Sequence, residues 1–282
     1  MISYGAISVV NAIPCNIGAT VGIDLRTVAN FNIRGSERII SIINDPDEST
    51  EMAEICVKNT FRHFGIDEPE GWSLSVDSEI PISRGLKSSS SACNAIISAV
   101  AGVISKEYKK DGFGDSDDDI IEMIRLGVRC AREAHVTVTG AFDDACGCHL
   151  GGLVITDNSN DTMIAHNSIE QNDVILLIPE TKIRKHSVDT EKLRRMSDAA
   201  MKIIKIAEKD WHTALTMNGN LIARATGIND SVARKAISMG ALAAGVSGTG
   251  PAISIVVEKN DGIRFLNDLE HDGYDAIITR TR

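Results

Sequence analysis

The chain has 282 residues, 43% of them hydrophobic, which is enough to fill the core of one large or two medium domains. Against 29 Lys and Arg stand 39 Asp and Glu, and the formal charge of −10 excludes the basic face that nucleic acid or an anionic membrane demands. Met1 to Val10 lacks the charged start and apolar centre of a leader, no stretch reads as uniformly apolar across a bilayer's width, and Cys15, Cys56, Cys93, Cys130, Cys146 and Cys148 are scattered. A reduced, cytoplasmic protein is expected, with no nucleic-acid or membrane partner, as a monomer or homodimer.

Apolar alternation and turn residues predict strands near Ile2 to Val10, Thr20 to Ile33 and Trp72 to Ser78, with a helix across Thr50 to Phe64. A second helix follows, on which Ala92, Ala95, Ile96, Ala99, Val100 and Val103 share a face and Lys106, Lys109 and Lys110 suit the negative pole. The polar loop Lys109 to Asp119 leads to a third helix built on Ile120, Ile124, Gly127, Val128 and Ala131. Asp115, Asp117, Asp118 and Asp119 fit the acidic first turn of that helix better than a metal cluster. A strand from His149 to Thr156 and the turn-rich cluster Asp157 to Asp161 come next.

A new group of elements begins with a strand at Asp173 to Pro179. Helices are expected across Asp189 to Glu208, Asp210 to Gly227 and Asp230 to Met239, then a strand at Ala252 to Val257, a helix and a final strand. The boundary expected near Ile169 divides the chain into residues 1–168 and 169–282. Trp72 and Trp211 read as core or interface aromatics. Cys146-Gly147-Cys148-His149 lacks a second ligand pair, so small buried residues explain it better than a metal does.

The run Pro81-Ile82-Ser83-Arg84-Gly85-Leu86-Lys87-Ser88-Ser89-Ser90-Ser91-Ala92-Cys93-Asn94 places small residues and hydroxyls where the second helix begins. A helix start carries unpaired N–H groups and a positive dipole end, so such a loop can cradle a polyanion. Gly85 can supply the tight turn, Lys87 a mobile cation, and Ser88 to Ser91 hydroxyls for phosphate or magnesium. A flexible Ser-rich linker is the alternative, although linkers rarely run straight into an amphipathic helix. Neither the Walker frame nor a dinucleotide fingerprint is present.

Pro81, Gly85, Leu86, Ser88 and Ser89 match the second motif of the GHMP kinases, named for galactokinase, homoserine kinase, mevalonate kinase and phosphomevalonate kinase. Gly245-Val246-Ser247-Gly248-Thr249-Gly250-Pro251-Ala252 resembles the third motif, and Ala6 to Leu25 occupies the looser first. Within that superfamily the four serines, Thr139-Gly140-Ala141-Phe142-Asp143-Asp144-Ala145 and the short chain look like the archaeal type of shikimate kinase. The resemblance implies an α+β, two-domain fold: an N-terminal mixed-sheet domain with a left-handed βαβ crossover, and a C-terminal ferredoxin-like domain. It also implies ATP and Mg2+, and transfer of the γ-phosphate to a ring hydroxyl of shikimate on the aromatic amino-acid pathway. Homoserine or mevalonate kinase activity, or a non-catalytic binding protein of the same fold, are the alternatives.

The same resemblance distributes roles. Pro81 to Ser91 with Gly248 and Gly250 would hold nucleotide, Lys87 would assist catalysis, and Asp143 would be the base or hydroxyl-orienting group with Asp144 as its alternate or support. Read without the family, two adjacent acids on a loop are solvated turn residues. Ser89 or Ser90 with Glu133 would bind magnesium, though Glu133 equally fits an exposed helix charge. Asn11, Asp24, Ser247 and Thr249 would line the acceptor site, and Lys182 or Arg184 would meet the acceptor carboxylate unless they form a solvated loop.

Overall fold

The computed structural model describes residues 1–114, 116–179 and 189–282. Asp115, Lys182 and Arg184, with the neighbouring Lys185 and His186, lie outside the described residues. The first sheet contains β1 (Ile2–Val10), β2 (Ile17–Asn32), β3 (Arg38–Ile42), β4 (Trp72–Ser78), β5 (Leu153–Asp157) and β6 (Thr162–Asn167). Its order is β3-β4-β2-β5-β6, with β1 paired to β2 beside that path. Only β3 and β4 run parallel, joined through α1 (Glu51–His63), so the sheet is mixed. The 16-residue β2 pairs β4 through Thr27 to Asn32, β5 through Ile17 to Val21, and β1 between.

α1 packs with α2 (Ser88–Tyr108), α3 (Asp117–Glu133) and α4 (Phe142–Leu150) on this sheet, in a core of Phe31, Phe61, Trp72, Leu74, Ile96, Ile97, Ile124 and Phe142. By length and composition α2 is apolar enough to cross a membrane, with mean hydropathy 1.3, contrary to expectation. Its buried flank of Ala95, Ile96, Ile97, Val100 and Ile104 instead joins this core. Ser116 caps α3, its hydroxyl accepting from the Asp119 amide at 3.2 Å, and Asp117, Asp118 and Asp119 occupy the positive first turn.

The second sheet has the order β10-β7-β9-β8, antiparallel throughout, from β7 (Asp173–Pro179), β8 (Ala243–Val246), β9 (Ile253–Val257) and β10 (Tyr274–Arg280). Between β7 and β8 lie α5 (Thr190–Arg194), α6 (Ser197–Ala207), α7 (Trp211–Thr226) and α8 (Ser231–Ser238), and α9 (Gly262–Asp268) precedes β10. This succession and strand order follow the β-α-β-β-α-β pattern of ferredoxin-like sheets. A core between the two sheets joins Ile7, Val9, Val21 and Ile155 to Val174, Leu176, Leu215 and Trp211.

Four local expectations are corrected. β3 and β6 were not anticipated, because Ile39 and Ile164 stay exposed and neither segment carries a buried alternation. β8 is hidden in the sequence by its composition of Ala, Ala, Gly and Val. Residues 189–208 form two helices, broken at Arg195 and Met196. Asp143 and Asp144 sit in a helix, and β5 starts only at Leu153, after that helix has used His149 and Leu150.

Trp72 is 1% exposed, stacks tilted on Phe31 at 5.6 Å between centroids, and donates its indole N–H to Glu68. Trp72→Ala is expected to cost about 3–5 kcal/mol in urea denaturation. A loss below about 1 kcal/mol would mean that this end of the core collapses freely.

Candidate active site

The loop leading from β4 to α2 turns through left-handed backbone at Ser83, Gly85 and Lys87, with φ of 59°, 85° and 69°. Gly85 has no substitute there, since a Cβ would lie 2.3 Å from the Ser247 carbonyl oxygen. Ser247 opens the glycine-rich turn; its hydroxyl donates to the Gly85 carbonyl at 2.9 Å and accepts from the Ser8 amide of β1 at 3.2 Å. The Asn11 side chain donates to the Gly248 carbonyl at 2.9 Å, and its backbone amide donates to Asn218 of α7 at 3.0 Å. Four segments far apart in sequence are thus tied into one piece.

α2 starts on that piece without a side-chain cap. Its first amides and the dipole's positive end therefore face the loop, and the Ser91 hydroxyl is buried with no protein partner. A concave backbone, free amides and an orphaned hydroxyl fit a polyphosphate. Lys87 folds inward, 2.8 Å from Asp144 and 2.7 Å from the Ser8 hydroxyl. Burial opposes its charge, but Asp144 and Asp143 outweigh that and hold its pKa above the usual lysine value.

Gly140 and Ala141 are both left-handed, and they launch α4 with Phe142 in the core and the two aspartates in its first turn. α4 lies close on β2: a Cβ on Gly147 would meet the Thr20 hydroxyl at 2.3 Å, and one on Gly18 would meet Asp143 Oδ2 at 2.2 Å. Cys146 and Cys148 are therefore small buried packing residues, and burial pushes both thiols up. Asp143 is 3% exposed. Burial first, and then the neighbouring Asp144 charge, push its carboxyl up to about 7, against the lowering influence of Lys87 and Asn158.

The structure brings together Gly85, Lys87, the α2 serines, Ser247, Gly248, Asp143 and Asp144. It also spends Asn11 on Gly248 and Ile13, and leaves Asp24 exposed beside Arg26 at 3.7 Å. Glu133 accepts a hydrogen bond from Asn59 of α1 at 2.7 Å, and no cluster of three ligating side chains forms among the described residues. Pro81 and Leu86 flank the loop, with Leu86 fully buried, and Thr249 and Gly250 complete the turn. Ser8, Gly18, Thr20 and Asn158 belong to the site and were not singled out. Gly18 lay within the first motif and Asn158 within a stretch that reads only as a turn, so spacing gave no hint of their contacts.

Residues 51–152 match the family described as GHMP kinases N terminal domain. A shikimate kinase of Methanothrix thermoacetophila is 38% identical over 261 residues, 92% of this chain and 85% of that protein. The chain belongs to the GHMP kinase family. Another relative of this GHMP kinase, the shikimate kinase of Methanosarcina mazei, is 33% identical over 99% of this chain and 92% of its own length. The fold is also that of the mevalonate kinase of Methanococcus jannaschii, with TM-score 0.79 and 17% identity over 100% of this chain and 98% of that one.

Gly85→Ala is expected to part the two loops and lower turnover by about a hundredfold, as a misplacement near 1 Å does. Turnover near wild type, measured at saturating substrates, would show that the loops need not touch. Asp143 also gives a stability signature. Its pKa rises from 3.8 to about 7 on folding, so its contribution to stability falls as pH climbs through that window. Asp143→Asn removes the effect, and its stability relative to wild type is expected to be greater at pH 8 than at pH 5 in urea titrations. A difference independent of pH would contradict the burial argument.

Proposed function

We propose that this GHMP kinase is a shikimate kinase, moving the ATP γ-phosphate onto a ring hydroxyl to give shikimate 3-phosphate. The observation that carries the reading is a buried aspartate with pKa near 7, set beside Lys87 and an uncapped helix start, in a chain 38% identical to a shikimate kinase over 92% of its length. Phosphoryl transfer demands charge neutralisation on the phosphates and a group to orient and deprotonate the acceptor hydroxyl.

The α2 amides and the hydroxyls of Ser88 to Ser91 hold phosphate oxygens, with the Gly248 to Gly250 turn closing the other side. Lys87 supplies positive charge from a position fixed by Asp144 and Ser8. Asp143 accepts the acceptor's hydroxyl proton, a task for which a carboxylate near neutrality is suited. Magnesium, when bound, neutralises phosphate charge; Ser89 or Ser90 supplies the protein hydroxyl, and Glu133 would have to leave Asn59 to join it. Asp24 and Thr249 remain acceptor-site assignments, and the acceptor carboxylate is assigned to Lys182 or Arg184. The division into residues 1–168 and 169–282 belongs to the same proposal, as does a cytoplasmic setting, which six free cysteines suit.

Nucleoside diphosphate release, followed with shikimate, homoserine and mevalonate supplied separately, tests the acceptor. Turnover with shikimate alone supports the reading, and turnover with another acceptor overturns it. Asp143→Asn is expected to lower kcat by about 10² to 10⁴ while ATP binding persists. In wild type, kcat rises with pH to a plateau above about 7, since the base works ionised. A variant that turns over like wild type would remove Asp143 from the chemistry.

A further inference from the structure

Asn158 lies just past β5, 15 residues after Asp143, and is 2% exposed. Every polar atom of its side chain is engaged with the segment that carries the base. Its Nδ2 donates to Asp143 Oδ1 at 2.7 Å and to the Thr139 hydroxyl at 3.2 Å. Its Oδ1 accepts from the Asp143 backbone amide at 3.1 Å and from the Thr156 hydroxyl at 2.7 Å. One amide therefore grips both the main chain and the carboxylate of a single residue. Leu or Asp at this position would keep the volume but lose the donor.

The turn that holds Asn158 is anchored from outside. Arg132 of α3 pairs with both Asp161 oxygens at 2.8 Å and reaches the Asn158 carbonyl at 3.3 Å, while Arg125 donates to the Asp161 carbonyl. The Asn158 backbone amide donates to the Asn16 carbonyl at 2.8 Å. A Cβ on Gly140 would run into the Arg132 guanidinium, so the turn before α4 is moulded on the same arginine. A surface Asn in a turn of Asp, Asn and Ser has no need of such fixing; one that must hold a buried carboxylate in a single rotamer does.

We propose that Asn158 is the positioning residue for the catalytic base: its side-chain amide fixes the rotamer of Asp143 and favours the ionised carboxylate. The inference rests on the assignment of Asp143 as base. A neutral donor suits this task, because a second cation added to Lys87 would push the carboxyl back down towards the ordinary carboxylate range. The charged and titratable groups around Asp143 are Lys87 from the loop before α2, Asp144, Cys146 and Cys148 from α4, and the Asp161 pair with Arg132 and Arg125 behind the turn. β2 presents Gly18 and Thr20, neither of which titrates.

The test compares Asn158→Leu, Asn158→Asp and Asn158→Ser in steady-state kinetics across pH, with melting curves for each. Asn158→Leu is expected to lower kcat about 10- to 100-fold with KM for ATP little changed. It is also expected to move the rising limb of kcat upward by about one pH unit. Asn158→Asp adds a like charge and moves the limb further, and Asn158→Ser, which keeps a small donor, recovers part of both effects. A fall in kcat with the limb unmoved reduces Asn158 to a structural role and overturns the proposal, as does wild-type behaviour. Should the Leu variant fail to fold, a carbon-13 titration of the Asp143 carboxyl in Asn158→Ser still decides: a midpoint unchanged from wild type refutes it. Failure of the underlying reading looks different. Asp143→Asn would then retain turnover, whereas failure of the present inference leaves that variant impaired and the rising limb of the Asn158 variants unmoved.

Discussion

One ammonium held by a half-buried carboxylate, within the field of a second carboxylate that is fully buried, is the interaction on which the rest of this site depends. Lys87 comes from the loop ahead of α2, Asp143 and Asp144 from the first turn of α4, and Ser8 from β1. The ion pair is tolerated in a largely dry setting because Asp144 and Ser8 satisfy two of the three ammonium hydrogens. The excess is one carboxylate that burial and its neighbour both keep from ionising easily. Under the proposed role of Asp143 that excess is chemically useful, because burial is what brings its carboxyl near neutrality.

Small residues make this closeness possible. On β2, Gly18 faces Asp143 while Thr20 and Gly22 face Gly147 and Gly151, so α4 can settle within contact of the strand's backbone and carry its aspartates down to the floor of the site. On the opposite side, Gly85 and Gly248 let the main chains of two loops come close enough for the Ser247 hydroxyl to tie them together. The precision of the site thus comes from close backbone approach, locked by the neutral side chains of Asn11, Ser247 and Asn158.

Much of this was legible beforehand. β4 announces itself by its buried alternation and β1 and β7 by apolar runs, and the loop before α2 is marked by its run of small residues and hydroxyls ahead of an apolar helix. Edge strands β3 and β6 were not legible, because their solvated side chains leave no period to read. Nor was the helical state of Asp143, because α4 is only nine residues long, Phe142 to Leu150, with two Asp, two Cys and a Gly among them, and its helix is dictated by packing on β2 rather than by propensity. Asn158 was invisible for a related reason. Its meaning lies in contacts across 15 residues of chain, and its neighbours in sequence are those of any turn.

The core shared by the two sheets limits how the molecule can move. Ile7, Val9 and Val21 of the first sheet interlock with Val174 and Leu176 of the second and with Leu215 and Trp211 of α7, so a wide hinge opening would expose a continuous apolar seam to water. Large jaw-like closure is therefore costly. Catalytic geometry is consequently set when the chain folds instead of being assembled afresh at each turnover, and the energy of substrate binding is not consumed in dragging two halves together.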